Sequence, residues 1–205
     1  HGFSLDFENI RYHQQILEND FLVTVNPPHT GPMFVGGLPW TFSKTAPNID
    51  TDVAVPGQHT KDVVENGFGA HVGNENPRAE NAPVSLPLEG LRVVDATQGF
   101  AGPFLSLLLA EAGAEVIKIE PPGGDWARQL APRTPSGNSA LFEAFNRNKD
   151  NKVLDLETAG GKAEFQSIVK DAAVVLEDWG VGVAEGRELS YEILAEDNPG
   201  LVYLA

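Results

Sequence analysis

The sequence feature that most constrains the fold is the stretch Leu88–Glu120. It begins with an apolar run, Leu91–Asp95, whose residues favour a β-strand, and a turn with two glycines and a proline follows. Phe104–Ala112 is an apolar helical run that stops at Gly113, and Glu115–Glu120 predicts a second strand. A strand, a tight turn, a helix and a strand form a βαβ unit, because parallel strands need such a crossover connection.

The carboxyl ends of these two strands are where a ligand is expected. In open α/β sheets, ligands bind outside that end of the strands, which here means Thr97–Gly102 and Glu120–Asp125. The turn Gln98–Pro103 precedes a helix N-terminus, whose free N–H groups and positive dipole end suit an anion. Because the turn matches neither GxGxxG nor a P-loop, the residues alone favour a plain βα turn.

Strands and helices keep alternating through the rest of the chain. Further strands are predicted at Lys152–Leu156, Ala172–Leu176 and Leu201–Leu204, and helices at Ala140–Phe145, Thr158–Lys170 and Ser190–Glu196. Five strands alternating with helices predict an α/β fold with a doubly wound, mostly parallel sheet.

The first part of the chain is less regular and predicts an irregular α+β segment. Its predicted elements are a short helix around Ile10–Leu17, strands at Phe21–Val25 and within Met33–Ser43, and a helix at Lys61–Glu65 with Thr60 as N-cap. Residues 69–87 are poor in large apolar side chains and are interpreted as a linker. The chain is therefore divided into a segment 1–68, a linker 69–87 and a domain 88–205.

Composition excludes several classes of function. The net charge is −15, with 14 basic and 29 acidic residues, which argues against nucleic acid or an anionic membrane as partner. The chain has no cysteine, so disulfides and thiolate chemistry are excluded. No apolar run approaches the roughly 20 residues of a membrane span, and the histidines lack the spacing of metal ligands.

Other polar residues lie at predicted strand ends, and each has an ordinary structural interpretation. Gly123–Asp125 is either a mobile ligand loop or a turn with a helix N-cap. Asn146, Asn148 and Lys149 place amides and a cation just before a strand and are interpreted as a solvated loop.

Glu177, Asp178 and Trp179 follow another predicted strand. Adjacent residues on a strand point to opposite faces, so the two carboxylates do not form an acid/base pair. Trp179 is suited to stacking on a flat ligand ring, although an aromatic side chain is more often part of the core. The residues alone therefore predict an α/β domain with a ligand-binding edge.

The order of short motifs in the second part of the chain resembles a known family. The motifs are LPLEGLRVVDAT, FAGP, AEAGAEVIKIEPPGGD, FEAFNRNK, LDLET, VVLED and LAEDNPGLVYLA. They resemble the amino-terminal part of class III CoA-transferases, the CaiB/BaiF family, across residues 88–205. The resemblance implies a Rossmann-like large domain for this part of the chain.

The first part of the chain resembles the opposite end of the same family. GGLPWTFSKTAP and VPGQHTKDVVENGF are similar to its carboxyl-terminal segment. This order implies the junction of a tandem protein with two CoA-transferase repeats. The chain begins at His1 and ends on a predicted strand, so we expect a fragment of a longer protein. The expected partner is the other repeat of the same chain or an interlocked homodimer.

The resemblance implies transfer of CoA from an acyl-CoA donor to a carboxylic acid acceptor. In the family an aspartate attacks the thioester and an aspartyl-CoA intermediate follows, which is nucleophilic catalysis by a carboxylate. That aspartate lies beyond the segment that resembles NPGLVYLA, so no catalytic residue is expected here, and neither Asp125 nor Asp178 takes the role. The resemblance further implies that coenzyme A is part of the substrate, that no metal is needed and that the protein is cytoplasmic.

Two alternatives remain open. The second repeat is a non-catalytic scaffold that pairs with an active repeat, or the protein is an acyl-CoA racemase, which shares the fold but uses His and Asp as an acid/base pair. The racemase is the weaker alternative, because residues 88–205 contain no suitable histidine.

The resemblance also assigns part of a CoA site to this chain. The matching positions are Gly99, Phe100, Ala101, Pro121, Leu154, Asp155, Leu156, Glu157, Asp178, Trp179 and Gly180. Cations of well-studied transferases are missing, for example a lysine at the position of Glu157. Because CoA carries phosphates, either other cations supply the charge or this repeat is the non-catalytic half. The candidate cations are Arg128, Lys149, Lys152 and Arg187.

Overall fold

The computed structural model describes residues 7–27, 30–38, 49, 54–67 and 86–205. Its strands are β1 (Leu22–Val25), β2 (Met33–Gly36), β3 (Arg92–Ala96), β4 (Glu115–Glu120), β5 (Asp150–Val153), β6 (Val174–Glu177) and β7 (Val202–Leu204). Its helices are α1 (Phe7–Ile10), α2 (Gln14–Glu18), α3 (Thr60–Asn66), α4 (Ala101–Glu111), α5 (Ala140–Asn146), α6 (Ala159–Val169), α7 (Val183–Gly186) and α8 (Tyr191–Asp197), with a 3₁₀ turn at Trp126–Gln129.

Strands β3 to β7 form one parallel sheet in the order β5-β4-β3-β6-β7. Strand β3 lies at the centre, where its Val94 pairs with Ile117 of β4 on one side and with Val175 of β6 on the other. The chain moves outward from β3 to β5 and then returns to the other side of β3 with β6. The predicted α/β fold with a doubly wound parallel sheet is thus confirmed, and its topological switch point lies between β3 and β6.

Both faces of the central strands are covered. In β3, Val94 belongs to a buried cluster that includes Phe165 of α6 and Leu194 of α8. Val93 belongs to a second cluster, which includes Ala110 of α4. Successive side chains of a strand point to opposite faces, and strands covered on both faces appear as nearly continuous apolar runs. This is why the sequence pattern predicts these strands.

Residues 54–67 lie against β5, which is an edge strand of the sheet. The N–H of Gly57 donates to Oδ1 of Asn151 at 2.5 Å, and the N–H of Asn151 donates to Nδ1 of His59 at 3.3 Å. Val63 of α3 is buried in the cluster that also contains Val94. The contact covers an edge whose backbone groups would otherwise lack partners.

Strand β5 begins and ends earlier than predicted. The apolar residues of Lys152–Leu156 indicated a strand, whereas the structure has it at Asp150–Val153. The reason is the length of β4: its last residue, Glu120, pairs with Val153, so the residues that follow have no neighbouring strand.

Two helix starts also differ from the prediction. Thr60 is not the N-cap of α3 but its first residue, because its N–H donates to the carbonyl of Gly57 at 3.1 Å and draws it into the preceding turn. Helix α4 begins at Ala101, ahead of the predicted Phe104. Pro103 then lies in the first turn, where a helix does not use the N–H that proline lacks.

The predicted strands of the first segment are confirmed, because β1 and β2 form an antiparallel pair. Most of the predicted linker 69–87 lies outside the described residues. The helices of the described ranges include none that is long and apolar enough to cross a bilayer.

Candidate functional site

A cavity of about 280 Å³ opens at the carboxyl edge of the parallel sheet, beside the switch point. Its walls come from the ends of β3, β4, β5 and β6 and from the segment after α7. The lining residues are Ala96, Gln98, Ile119, Pro121, Pro122, Leu154, Asp155, Leu156, Glu157, Asp178, Trp179 and Arg187. This is the edge at which doubly wound sheets bind ligands.

Most of the predicted CoA-site residues lie together around this cavity. The predicted residues that line it are Pro121, Leu154, Asp155, Leu156, Glu157, Asp178 and Trp179. Gly99, Phe100, Ala101 and Gly180 are not among the lining residues. Gln98 and Pro122 lie within the predicted ligand edge but not among the residues that the resemblance assigns to the CoA site. The sequence analysis did not single out Ala96 or Ile119.

The βα turn is closed by carboxylates of the chain itself. The N–H of Gly99 donates to Oδ1 of Asp125 at 3.1 Å, and the N–H of Gln98 donates to Oδ2 of Asp178 at 2.9 Å. Gly99 has φ +80, and a Cβ added there would lie 2.3 Å from the ring of Trp126. The turn is therefore held in place by hydrogen bonds within the chain, as expected for the plain βα turn that its residues favour. Two of its N–H groups already have partners.

Phe100 and Ala101 lie at the start of α4, outside the cavity. The ring of Phe100 packs edge-on against Trp126 at 5.4 Å and against Phe145 at 6.1 Å between centroids. Phe100 is the N-cap of the helix and is partly exposed. Any contribution of this residue to a ligand site stays a prediction.

Trp179 forms a fixed wall of the cavity. Its indole Nε1 donates to the carbonyl of Ala96 at 3.2 Å, and its ring packs at 5.8 Å from Phe165. The guanidinium carbon of Arg187 lies 5.0 Å from the ring centroid, which is a cation–π distance. Gly180 follows with φ +94, a backbone conformation that favours glycine.

The charged groups around the cavity are mostly acidic. Asp155, Glu157 and Asp178 contribute carboxylates, and Arg187 is the one cation among the described lining residues. The Nη2 and Nε atoms of Arg187 lie 2.6 and 3.0 Å from Oε1 of Glu157. Partial burial raises the pKa of Asp178, and the hydrogen bond from the N–H of Gln98 opposes that rise.

The other three candidate cations are paired elsewhere. Arg128 donates to Oε1 and Oε2 of Glu120 at 2.6 and 2.8 Å. Lys152 lies 2.5 Å from Oε1 of Glu164. Lys149 is buried and does not line the cavity. Of the four candidates, Arg187 alone is placed to meet a ligand in the cavity.

Two of the three residues predicted as a solvated loop are instead part of the interior. Asn146 and Lys149 are buried, and the Nζ of Lys149 donates to Oδ1 of Asn146 at 3.0 Å and to the carbonyl of Pro103 at 2.9 Å. The Nδ2 of Asn148 donates to the carbonyl of Ala110 at 3.2 Å. These hydrogen bonds hold the loop against the start and the end of α4.

Asp95 is the centre of this buried polar cluster. It accepts hydrogen bonds from the hydroxyls of Thr97 and Ser106 at 2.5 Å each, and from Lys149 at 3.1 Å. Burial alone would raise its pKa, but Lys118, Lys149 and these hydroxyls outweigh that effect and hold the pKa well below its usual range. Burial lowers the pKa of Lys149 to about 8, although Asp95 opposes the change.

A second carboxylate joins the cluster from the loop after β4. Asp125 is buried, lies 3.1 Å from the Nζ of Lys118, and caps the 3₁₀ turn by accepting the N–H of Ala127 at 2.8 Å. Of the two interpretations of Gly123–Asp125, the capped turn is the one that the structure has. The sequence signal for the cluster is a charged residue inside each apolar strand, Asp95 in β3 and Lys118 in β4.

One protein family matches the second part of the chain, in which strands and helices alternate. CoA-transferase family III matches residues 88–205, which is more than half of the chain. The succinyl-CoA:mesaconate CoA-transferase of Haloarcula hispanica is 42% identical over 120 residues, which cover 57% of this chain and 30% of that protein. The acetyl-CoA:oxalate CoA-transferase of Acetobacter aceti is 41% identical over 119 residues, covering 57% and 30% respectively.

Solved structures match a similar share of the chain. A hypothetical protein from Mycobacterium tuberculosis has a TM-score of 0.53 and 39% identity, with 58% of this chain and 32% of that chain covered. A CAIB/BAIF family protein from Brucella suis has a TM-score of 0.54 and 36% identity, covering 57% and 32%. The chain therefore spans about a third of the length of these proteins. With this match over residues 88–205 and the doubly wound sheet, the chain belongs to CoA-transferase family III.

Proposed function

We propose that the cavity at the switch point holds part of the CoA moiety of an acyl-CoA. The protein then acts as a CoA-transferase between an acyl-CoA donor and a carboxylic acid acceptor. The observation that carries the proposal is the cavity itself: it lies where doubly wound sheets bind ligands, in a chain that belongs to a CoA-transferase family. The named transferases among its relatives support the same reaction class.

The shape and chemistry of the cavity suit one portion of CoA. A volume of about 280 Å³ is at the lower end for small-molecule sites, so it accommodates a segment of CoA rather than the whole molecule. Pro121, Leu154 and Leu156 provide apolar walls, Trp179 provides a ring face, and Arg187 provides a cation for a phosphate.

The proposed chemistry proceeds through an aspartyl-CoA intermediate whose aspartate is supplied from outside this chain. Two aspartates near the cavity are unsuited to that role. Asp125 is buried and paired with Lys118, so it cannot reach a thioester. Asp178 accepts the N–H of Gln98 and thereby closes the βα turn. The proposed source of the aspartate is the part of the family sequence that lies beyond the segment resembling NPGLVYLA.

One observation favours a second candidate, a scaffold repeat that does not bind CoA. Three carboxylates and one guanidinium surround the cavity among the described residues. A phosphorylated ligand would meet repulsion from most of these groups, and Arg187 is already paired with Glu157. The two candidates differ in a direct way, because only the first requires that CoA enters the cavity.

The deciding experiment is a titration of the ¹⁵N-labelled chain with CoA, followed by two-dimensional NMR. Weak binding is expected, with shifts confined to residues such as Leu156, Asp178 and the indole of Trp179. Pantetheine, which lacks the phosphates, is the matched comparison and should shift fewer of these signals. Absence of CoA-dependent shifts, or shifts only elsewhere in the chain, would favour the scaffold.

Mass spectrometry tests the assignment of the nucleophile. Incubation of the chain with an acyl-CoA should leave its mass unchanged, because no residue of this chain is assigned as nucleophile. A covalent CoA or acyl adduct on any aspartate or glutamate of the chain would contradict the proposal.

A further inference from the structure

Glu157 and Arg187 both line the cavity and form an ion pair, and the two side chains are exposed to different extents. Arg187 is 25% exposed and lies against the ring of Trp179. Glu157 is 71% exposed, and its side chain extends from the turn after β5. The N–H of Glu157 donates to Oδ1 of Asp155 at 3.1 Å, so the backbone is fixed while the carboxylate is free to rotate away.

The pair puts a negative group of the chain at the position that a ligand anion would need. Both nitrogens of Arg187 that contact Glu157 bind the same oxygen, Oε1. A phosphate that takes the Nε and Nη2 edge of Arg187 must therefore replace this carboxylate. Ion pairs with one well-exposed partner are weak, because water and salt screen them, so the replacement is possible for a multiply charged group.

From this geometry we infer that Glu157 is an internal competitor for the anion position at Arg187. It sets the affinity of the cavity for phosphorylated ligands and leaves unphosphorylated ones unaffected. The inference rests on the proposed function for the identity of the ligand, and on the described contacts for the competition. Glu157 is thereby a residue that determines specificity and makes no contact with the reacting atoms.

The competition predicts a measurable gain in the affinity for phosphate groups when the charge of Glu157 is removed. Removing the charge of Glu157 leaves Arg187 stacked on Trp179 and available to a phosphate. The gain in affinity equals the strength of the lost pair, which for an exposed pair corresponds to about a five-fold change in Kd. The gain should shrink as salt is added, because added ions screen the pair in the parent chain.

The test compares the full chain with Glu157→Gln, Arg187→Met and the double variant. Glu196→Gln is the matched control, because Glu196 is exposed on α8 and does not line the cavity. The probes are CoA and inorganic pyrophosphate, each titrated at low salt with NMR or calorimetric detection. We expect E157Q to bind both probes about five-fold more tightly than the parent, E196Q to match the parent, and E157Q to have no effect in the R187M background.

The results distinguish failure of the competition at Arg187 from failure of the proposed function. If CoA binds the parent, E157Q and E196Q equally, the competition is wrong and the proposed function stands. If no variant binds CoA but E157Q binds pyrophosphate more tightly through Arg187, the competition stands and the proposed function is wrong. If neither probe binds any variant, both are wrong. A gain in E157Q that persists in the R187M background also overturns the competition.

Discussion

The Nζ of Lys149 lies 3.1 Å from Oδ2 of Asp95, and both side chains are buried. The same ammonium donates to the carbonyl of Pro103 and to the side chain of Asn146. The pair thus connects the end of β3, the first turn of α4 and the segment that leads into β5. Asp95 also accepts the N–H and the hydroxyl of Thr97, so the pair is joined to the start of the βα turn.

Replacing Asp95 with Asn should destabilise the chain strongly. The variant leaves the buried ammonium group of Lys149 without its carboxylate, while Lys118 keeps Asp125. Uncompensated buried charge costs roughly 3–5 kcal/mol. Urea unfolding followed by circular dichroism measures the change. Asp171→Asn, at an exposed position, is the matched control and should stay within about 0.5 kcal/mol of the parent. Equal stabilities of the two variants would contradict the buried pair.

The stability of the chain should fall in acid because of its buried carboxylates. The pKa values of Asp95 and Glu120 are lowered in the folded state, against the effect of burial, by their cationic and hydrogen-bonding partners. The unfolded chain, with carboxyl pKa values of about 4, then binds protons that the folded chain does not. Their contribution is complete above about pH 5 and is lost as the pH falls.

Glu120→Gln tests this pH dependence through a single group. The free energy of unfolding, measured from pH 7 downward, should decrease less steeply in the variant than in the parent. Glu196→Gln, an exposed control, should keep the parent's slope. The same slope in E120Q as in the parent would mean that Arg128 and the N–H of Asp125 do not lower the pKa of Glu120.

Replacing Gly99 with Ala should destabilise the βα turn. The added Cβ would lie 2.3 Å from the ring of Trp126, and φ is +80. The ring must move and the backbone is strained, which costs roughly 1–3 kcal/mol. Gly186→Ala is the control, because a Cβ there meets nothing within 4 Å. Thermal unfolding compares the two variants, and an unchanged midpoint for G99A would show that the turn adapts freely.

Replacing Val63 with Ala should weaken the contact between residues 54–67 and the parallel sheet. Val63 is 3% exposed in the main cluster, and its neighbour Val64 is 59% exposed. Truncating the buried side chain removes two methyl groups and leaves a cavity, a cost of roughly 1–3 kcal/mol. Amide hydrogen exchange of β5 should become faster in V63A and remain unchanged in V64A. Equal protection in both variants would mean that α3 does not cover the edge strand.

Local pattern predicted the elements of the domain but not always their ends. The apolar runs around β3 and β4, the glycine after α4 and the alternation of strands and helices were sufficient for the fold class. The end of β5 was not predictable in this way, because it depends on where β4 stops pairing at Glu120. Likewise, the start of α3 was misjudged because the turn at Gly57 draws Thr60 into the helix.

The family resemblance, rather than the local pattern, assigned most of the residues around the cavity. Pro121, Leu154–Glu157 and Asp178–Trp179 follow β4, β5 and β6 in the structure, and parallel strands bring their carboxyl ends to one edge. The burial of Lys149 was not predictable, because a cation between an asparagine and an aspartate has the composition of a surface loop. Its partner Asp95 is 54 residues away along the chain, and only the packing of α4 beside β3 brings them together.

The sequence by itself determined the βα alternation, the family and the edge at which a ligand is expected, because these depend on local periodicity and on ordered motifs. Tertiary structure alone decided which charges remain available at that edge. It paired Arg128 with Glu120 and Lys149 with Asp95, and it left Arg187 at the cavity opposite Glu157. The physical reason is that an ion pair depends on distance in space, and the order of strands in the sheet sets that distance.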